Sequence, residues 1–483
     1  MSASTAATSD PASWRALFTG SHALAAIVLA GGVALQAIET FVGSTVLPSA
    51  VIEIGGLELF AWNTTIFIVF SIVAAVCAGI RPFGIGDRAL YLWAAAAFAL
   101  GSLICGFAPS MPVMLAGRAL QGFGGGLLTA VSYALIRVVI PQPLWGRAFA
   151  LISSVWGVST LLGPAMGGVF ATLGAWRWAF FLLVPCALLL ALLSLRALPA
   201  GSNAEGARRF PFIQILLLIG AVLAVSVASI LTDSVPLQAL LVGLAALAIL
   251  ALGVIDRRRE IRLLPTGSFS LTTPIAPLLG AMLLVQLAIV CDIFVPLFLQ
   301  TLHGQTPLVA GYILALVAAG WSASSVVTSA WTGSRARLLM ILGPILHLVA
   351  ILGLFIFLPR ANPTGELLPL LPIGVCLLLL GSGIGISWPQ ISPRILKAAP
   401  AGEGDLTSAS ISMVQLFANG FGAALAGTIV NAAGLASADL TAGTISAAQW
   451  LFGSFAVVPL LALPLMLLIT RRERAEPALA PAE

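Results

Sequence analysis

Met111-Pro-Val-Met-Leu-Ala-Gly-Arg118-Ala-Leu-Gln121-Gly-Phe-Gly-Gly-Gly126 opens an apolar run that continues to Ile140. The run is long enough to cross a hydrocarbon core as one helix, which takes about 20 residues, and it carries an arginine. A guanidinium does not shed its proton, so burying it in lipid costs several kcal/mol unless a carboxylate or a polar cavity receives it. Arg118 therefore requires a partner elsewhere in the chain. Gln121, one turn on, shares its helix face. Gly122, Gly124, Gly125 and Gly126 remove side chains where a neighbouring helix can press close.

Composition agrees with a membrane chain. Hydrophobic residues make up 60% of the sequence and charged residues 8%, where a soluble domain carries roughly 25% charged; mean hydropathy is +1.10. The apolar runs are continuous over helical lengths and do not alternate every second residue, which argues against a β-barrel. The chain reads as an all-α polytopic membrane protein. Runs of about 20 apolar residues predict fourteen spans, at 23–48, 59–80, 89–108, 111–139, 148–171, 176–196, 211–232, 235–255, 271–300, 308–331, 337–358, 367–389, 407–433 and 449–470. The third and eleventh offer almost no polar handle.

Basic residues sort by side. With a cytoplasmic N-terminus, inner segments hold nineteen of the 22, among them Arg81, Arg88, Arg208, Arg209, Arg257 to Arg259 and Lys397. The outer loops hold Arg177 and Arg360. This asymmetry predicts a bacterial-type inner (plasma) membrane protein with both termini in the cytoplasm. The net charge of +5 thus reports topology, and scattered loop arginines are not a nucleic-acid surface. Cys77, Cys105, Cys186, Cys291 and Cys376 all fall in apolar runs without ligand spacing and read as inert thiols.

Two polar segments divide the spans: Ala200-Gly-Ser-Asn-Ala-Glu-Gly-Ala-Arg-Arg209 and Asp256-Arg-Arg-Arg-Glu-Ile-Arg262. Six spans precede the first, two lie between and six follow. The expected organisation is a tail at 1–22, a six-helix bundle at 23–196, a linker at 197–262 containing a helical hairpin at 211–255, a second six-helix bundle at 263–470 and a tail at 471–483. Gly381-Ser-Gly383-Ile-Gly385 in the twelfth span echoes the glycines of the fourth, as an internal repeat would.

Two acidic residues lie well inside apolar runs, Glu39 in the first span and Asp292 in the ninth. At 1.5 Å per residue, Glu39 is roughly 13 Å, Arg118 roughly 9 Å and Asp292 roughly 12 Å from the outer ends of their spans. All three share the outer half of the membrane. Glu39 pairs with Arg118, directly or through Gln121, if the first and fourth spans are neighbours. Burial favours the neutral form of such a carboxyl and a nearby guanidinium the ionised form, a balance that shifts as a cavity opens. His22, His303 and His347 lack metal-ligand spacing, and their expected roles are packing and interface.

The fifth span reads Gly157-Val-Ser-Thr-Leu-Leu-Gly163-Pro164-Ala-Met-Gly167-Gly168, a proline kink among small residues that invites a close partner. Taken together these segments resemble the major facilitator superfamily, specifically its fourteen-helix drug:proton antiporter branch. Glu39-Thr-Phe-Val-Gly-Ser-Thr-Val-Leu-Pro48 is similar to the first-helix motif, with glutamate in place of the usual aspartate. Arg118-Ala-Leu-Gln121-Gly122 matches the fourth-helix motif, whose arginine the resemblance implicates in proton coupling. Gly157 to Gly168 resembles the fifth-helix antiporter signature, and Trp176-Arg-Trp-Ala-Phe-Phe181 the start of the sixth helix. One segment departs: the loop after the second helix, Ala78-Gly-Ile-Arg81-Pro-Phe-Gly84-Ile-Gly-Asp87-Arg88, has Arg81 where the family's gating aspartate stands. Either Asp87 and Arg88 take over that gate or gating differs.

The resulting expectation is a secondary active transporter, not an enzyme, that exports a small lipophilic neutral or cationic compound in exchange for protons by alternating access. Glu39, Arg118 and Asp292 would couple protons; Gln121, Trp62, Trp156 and Trp388 would line the substrate cavity, where tryptophan rings can stack on a cation. No Gly-x-x-x-x-Gly-Lys-Ser/Thr loop is present to bind nucleotide, so the proton gradient is the expected energy source, with no cofactor and no metal. Expected partners are the substrate, protons and lipid, around a monomer without nucleic acid. A proton-coupled uptake symporter on the same fold is the first alternative. A membrane subunit of a proton-pumping enzyme complex is the second, disfavoured because the lone lysine, Lys397, falls in a loop; a metal or hydrolytic enzyme would need His and Asp clusters that are missing.

Overall fold

Inside lipid a backbone N–H finds no water, so each apolar run satisfies its amides within itself and becomes a helix. The computed structural model describes residues 14–20, 22–80, 86–200, 211–231, 234–259, 262–328, 331–437 and 439–475. It contains fourteen helices long and apolar enough to cross a membrane. The first six are α1 (Ala23–Ile54), α2 (Phe60–Ile80), α3 (Asp87–Phe107), α4 (Met111–Val139), α5 (Trp145–Thr172) and α6 (Arg177–Ala197). The inserted hairpin is α7 (Phe212–Ile230) and α8 (Val235–Arg258). The second bundle comprises α9 (Ile275–Ile289 and Val295–His303), α10 (Pro307–Thr328), α11 (Gly333–Phe357), α12 (Leu371–Lys397), α13 (Gly404–Ala432) and α14 (Leu440–Phe455 and Val457–Ala475).

The first and twelfth spans run past their expected ends, to Ile54 and Lys397, and two others differ in kind. The ninth is not one regular helix: Val290–Phe294 tightens into a 3-10 turn around Asp292, followed by Pro296, whose missing N–H suits the first turn of the outgoing helix. The last begins at Leu440 instead of 449 and breaks between Phe455 and Val457. Asp439 caps its start by accepting the N–H of Ala442 at 2.9 Å, a signal a hydropathy window does not register.

The glycines of α4 do what their spacing suggested. A Cβ at Gly122 would overlap the carbonyl of Phe67, and one at Gly126 would stand 2.6 Å from Ser71 Cα, both on α2; one at Gly124 would overlap Phe98 on α3. Thus α4 is pressed between α2 and α3. In the second bundle α12 takes the equivalent place. A Cβ at Gly381 or Gly385 would overlap backbone of α10, and one at Gly383 the ring of His347 on α11. His347 of α11 and Ser102 and Tyr91 of α3 are fully buried groups with polar atoms, so those two spans do carry polar handles, few enough that composition alone hides them.

Helices alternate in direction, so one end of the molecule collects Arg147, Arg196, Arg394 and Arg472; this is the basic end. At the opposite end the bundles meet. A Cβ at Gly168 would come 2.5 Å from Leu308 Cα of α10; Pro164 and Thr45 both lie 3.0 Å from the Cβ position of Gly311. Phe60 stacks on Phe294 with centroids 5.0 Å apart. Toward the basic end α5 packs into the first bundle by Ala148 and Ile152 and leaves Ser154, Trp156, Gly157 and Val158 exposed on its other face.

Clamps at the ends hold each bundle. At the opposite end Glu53, in the last turn of α1, accepts from Trp176 Nε1 (2.6 Å) and Arg177 (2.5 Å), and Arg177 also donates to the Ala108 carbonyl (2.9 Å). At the basic end Arg394 of α12 pairs with Glu473 of α14, Nη2 to Oε2 3.3 Å. Arg81 lies outside the described residues. Asp87 is buried as the first residue of α3, and Arg88 donates Nε–H to the Leu198 carbonyl at 2.7 Å, within the first bundle.

Candidate functional site: a buried ion pair in the first bundle

Four helices converge on Arg118. Its Nη1 pairs with Glu39 Oε1 of α1 and donates to Gln121 Oε1 at 2.7 Å; its Nε donates to the Asn63 carbonyl of α2 at 3.3 Å. The guanidinium lies over the Phe67 ring, 4.3 Å from the centroid, a stacking that replaces part of its lost hydration. Gln121 passes the network on, donating to Ser102 Oγ of α3 at 2.9 Å, and Ser102 donates to the Phe98 carbonyl at 2.8 Å. Glu39 is 0% and Arg118 3% exposed. The ion pair is therefore sealed, in the setting where breaking one partner is most costly.

Local sequence explains the geometry. Gly43 follows Glu39 by one turn; a Cβ there would sit 3.2 Å from Glu39 Oε1 and 3.5 Å from Arg118 Nη2. The glycine leaves the carboxylate and guanidinium room against α1, where a Cβ would crowd Glu39 Oε1. Gly101 of α3 allows the Gln121 backbone to approach, since a Cβ would overlap it. One acceptor is left over: Glu39 Oε2 is buried and has no hydrogen-bond partner, as does Asn63 Oδ1. A carboxylate with one oxygen paired and one unused can take a proton on the unused oxygen without giving up a hydrogen bond.

The structure thus unites Glu39, Arg118 and Gln121. Asp292 stands apart in the second bundle, half-buried in its 3-10 turn and without a hydrogen bond or ion pair to any described residue. Trp62 is turned away from the ion pair: its indole N–H is donated to the Ser226 carbonyl (2.9 Å) and Ser229 Oγ (3.2 Å) of α7. It ties α2 to the hairpin. Trp388 packs on Trp321 with centroids 6.1 Å apart, and Trp156 is exposed on the outer face of α5. Gly163 and Gly167 seat α5 on Phe41, Val42 and Thr45 of α1, Pro164 and Gly168 meet α10, and no atom lies within 4 Å of a Cβ at Gly157.

Asn63, Phe67, Ser102 and Gly43 were missed from sequence. Gly43, one turn from Glu39, was the one with a spacing signal; Ser102 and Asn63 are single polar residues whose facing depends on helix rotation, which hydropathy does not give.

Known proteins agree with this architecture. The sequence model of the Major Facilitator Superfamily matches residues 24–210. A probable multidrug-efflux transporter of Mycobacterium tuberculosis is 37% identical over 477 residues, covering 97% of this chain and 99% of that one. Multidrug resistance protein 3 of Bacillus subtilis is 24% identical over 413 residues, 82% of this chain and 77% of that one. Among solved structures the fold is similar to a peptide transporter (TM-score 0.64, 13% identity, 92% of this chain and 95% of that one). It is also similar to a D-xylose-proton symporter (TM-score 0.60, 17% identity, 92% and 96%). With fourteen membrane-length helices, a charged pair sealed within the first bundle and a relative matched end to end, the chain belongs to the Major Facilitator Superfamily and is a transporter, not an enzyme.

Proposed function

We propose that the protein exports small lipophilic compounds, neutral or cationic, in exchange for protons, with the basic end facing the cytoplasm. The observation that carries this reading is the sealed Glu39–Arg118 pair with its unused carboxylate oxygen. A proton arriving on Glu39 cancels one of two opposed charges and leaves Arg118 without its counter-ion. That imbalance is worth several kcal/mol in a dry interior, enough to favour a conformation in which water or another acceptor reaches the guanidinium. Release of the proton toward the cytoplasm restores the pair. Proton binding and a change of shape are thereby linked through one residue.

Other features support the direction. The end bearing the arginines is the cytoplasmic one by the positive-inside rule, and α5 meets α10 at the other end while it exposes Ser154, Trp156, Gly157 and Val158 toward the basic end. The conformation is one that would receive a compound from the cytoplasm. The Mycobacterium tuberculosis relative is named as a probable multidrug-efflux transporter, and the spans hold few charges with which to line a cavity, which suits cations and neutral molecules better than anions. Asp292 is proposed as a second acidic group facing that cavity.

Everted vesicles carrying a respiration-driven proton gradient test the proposal. Addition of lipophilic cations and neutral drugs should collapse the gradient with the parent protein, and Glu39→Gln should abolish the response while the protein stays folded. Collapse that survives Glu39→Gln would move the proton site elsewhere, Asp292 first. The fold neighbours include a proton symporter, so net accumulation of substrate on the cytoplasmic side would favour uptake instead.

A further inference from the structure

The inserted hairpin is tied to both bundles, and unequally. At the basic end its exit is fastened to the second bundle. Asp256, in the last turn of α8, accepts the backbone N–H of Leu263 (2.6 Å) and Leu264 (3.2 Å). Thr266 then donates its N–H to Glu403 (2.6 Å), beside the start of α13, and Arg262 lies 3.6 Å from the same carboxylate. Burial pushes the Glu403 carboxyl up, but hydrogen bonds from Thr266 and the charge of Arg262 outweigh it and hold the group below its ordinary value. A depressed carboxyl contributes its stability above the ordinary carboxylate range and loses it as pH falls through the lowered value, so this fastening is complete at neutral pH. Arg472 of α14 adds bonds to the carbonyls of Thr273 (3.0 Å) and Leu271 (2.6 Å).

Within the membrane the same preference holds. Phe417, Phe421, Ala424 and Leu425 of α13 pack with Ala221, Val222 and Val225 of α7. Thr428 Oγ1 donates to the Val225 carbonyl at 3.1 Å, and Asn431 Nδ2 to the Ser229 carbonyl at 3.0 Å. The first bundle also touches α7 along α2, where Val69 joins the cluster of Ala221, Val222 and Val225 and Ile72 that of Ile215 and Leu218, but its hydrogen bonds to α7 gather at the opposite end: the Trp62 indole on Ser226 and Ser229. Asn431 also reaches across, donating to the Glu58 carbonyl just ahead of α2 at 2.7 Å. Nearby, a Cβ at Gly427 of α13 would stand 2.5 Å from Ala61 Cβ, so the three helices are locked close at one level.

We propose that α7 moves as part of the second bundle and that Trp62 and Asn431 form a latch holding the opposite end closed. This rests on the alternating-access reading above. When the bundles part at that end, the Thr428–Val225 and Asn431–Ser229 bonds lie within one body and persist. The Trp62 bonds and the Asn431–Glu58 bond cross the boundary and must break. No water competes for these donors while the end is shut, so they favour the closed state until it hydrates. The hairpin widens the second bundle to give α2 a surface on which to lock.

Spin labels test the latch. With the two less buried thiols, Cys77 and Cys186, replaced by serine, labels are placed at the exposed Leu173 of the first bundle, Leu368 of the second and Leu237 of the hairpin. Pulsed-dipolar distances are then recorded in proteoliposomes. Trp62→Phe keeps the ring and removes the N–H; the ratio of open to closed Leu173–Leu368 distances should rise about two- to twelve-fold, as expected for one lost hydrogen bond. Asn431→Leu should act in the same direction. The Leu237–Leu368 distance should stay fixed in both populations while Leu237–Leu173 follows the opening. An unchanged ratio in both variants overturns the latch, and a hairpin label that stays with Leu173 overturns the assignment of α7. These distances do not depend on which compound is carried, so they remain readable if the vesicle assay fails.

Discussion

Arg118→Ala is expected to abolish transport and to destabilise the protein by about 3–5 kcal/mol, the usual cost of orphaning one member of a buried pair. The loss has three parts. Glu39 keeps its burial and loses its counter-ion; Gln121 Oε1 loses a donor at 2.7 Å and the Asn63 carbonyl one at 3.3 Å; the Phe67 face loses its cation. Against a total stability of roughly 5–15 kcal/mol, that is a large share of the margin, and the unfolding temperature in detergent should fall well below the parent's. Glu39→Gln is expected to cost somewhat less: like protonation it leaves Arg118 without its counter-ion, but the amide oxygen still accepts from the guanidinium. The double variant Glu39→Gln/Arg118→Gln should regain much of the lost stability and none of the transport. Thermal unfolding of purified protein, set beside the vesicle assay, separates the two quantities. An Arg118→Ala protein as stable as the parent would show that the pair is not sealed.

Gly168→Val is expected to stop transport without preventing folding. The Cβ it adds would stand 2.5 Å from Leu308 Cα, and backbone cannot yield as a side-chain tip can. Overpacking of this kind costs about 1–3 kcal/mol. Here the crowded partner is the other bundle, so the cost falls on the state in which the opposite end is shut and shifts the balance of states by about 5- to 150-fold. Gly122→Ala makes the contrast. Its Cβ would overlap Phe67 of α2, within one bundle, where no rearrangement relieves it, and low folded yield is the expected result. Gly157→Ala, with open space around it, should behave as the parent. Folded yield by size-exclusion chromatography and transport rate, measured on all three, distinguish seam from core; equal damage at Gly157 and Gly168 would sink the distinction.

Much of this was legible in the sequence because lipid imposes a simple rule. A helix-length apolar run becomes a helix, and a permanent charge inside one needs an opposite charge, which left few partners for Arg118. The glycines of α4 and α12 signalled close crossings for the same elementary reason, a missing Cβ. What was not legible depended on rotation and on tertiary partners. Trp62 looks like a cavity ring until α7 is placed beside it. Asp292 looks like a helical residue until the 3-10 turn at Val290–Phe294 is seen. Ser102 and Asn63 join the network because their helices turn them inward. The start of α14 was set by the Asp439 cap, a single hydrogen bond that no average over a window detects.

The position of the ion pair along the chain bears on how the protein is made. Glu39 and Arg118 are 79 residues apart, and the helices that carry them, α1 and α4, leave the ribosome before any helix of the second bundle. A lone arginine is among the residues least readily released from the insertion machinery into lipid. When α4 emerges, α1 already lies in the membrane with its carboxylate, and α2 and α3 offer the Phe67 ring and Ser102. The charge can be neutralised before any of the second bundle exists. Biogenesis thus has an internal order: α1 is the insertion partner of α4, and an N-terminal fragment ending after α6 should hold α4 across the bilayer by itself, whereas the same fragment carrying Glu39→Leu should leave α4 stalled or outside it.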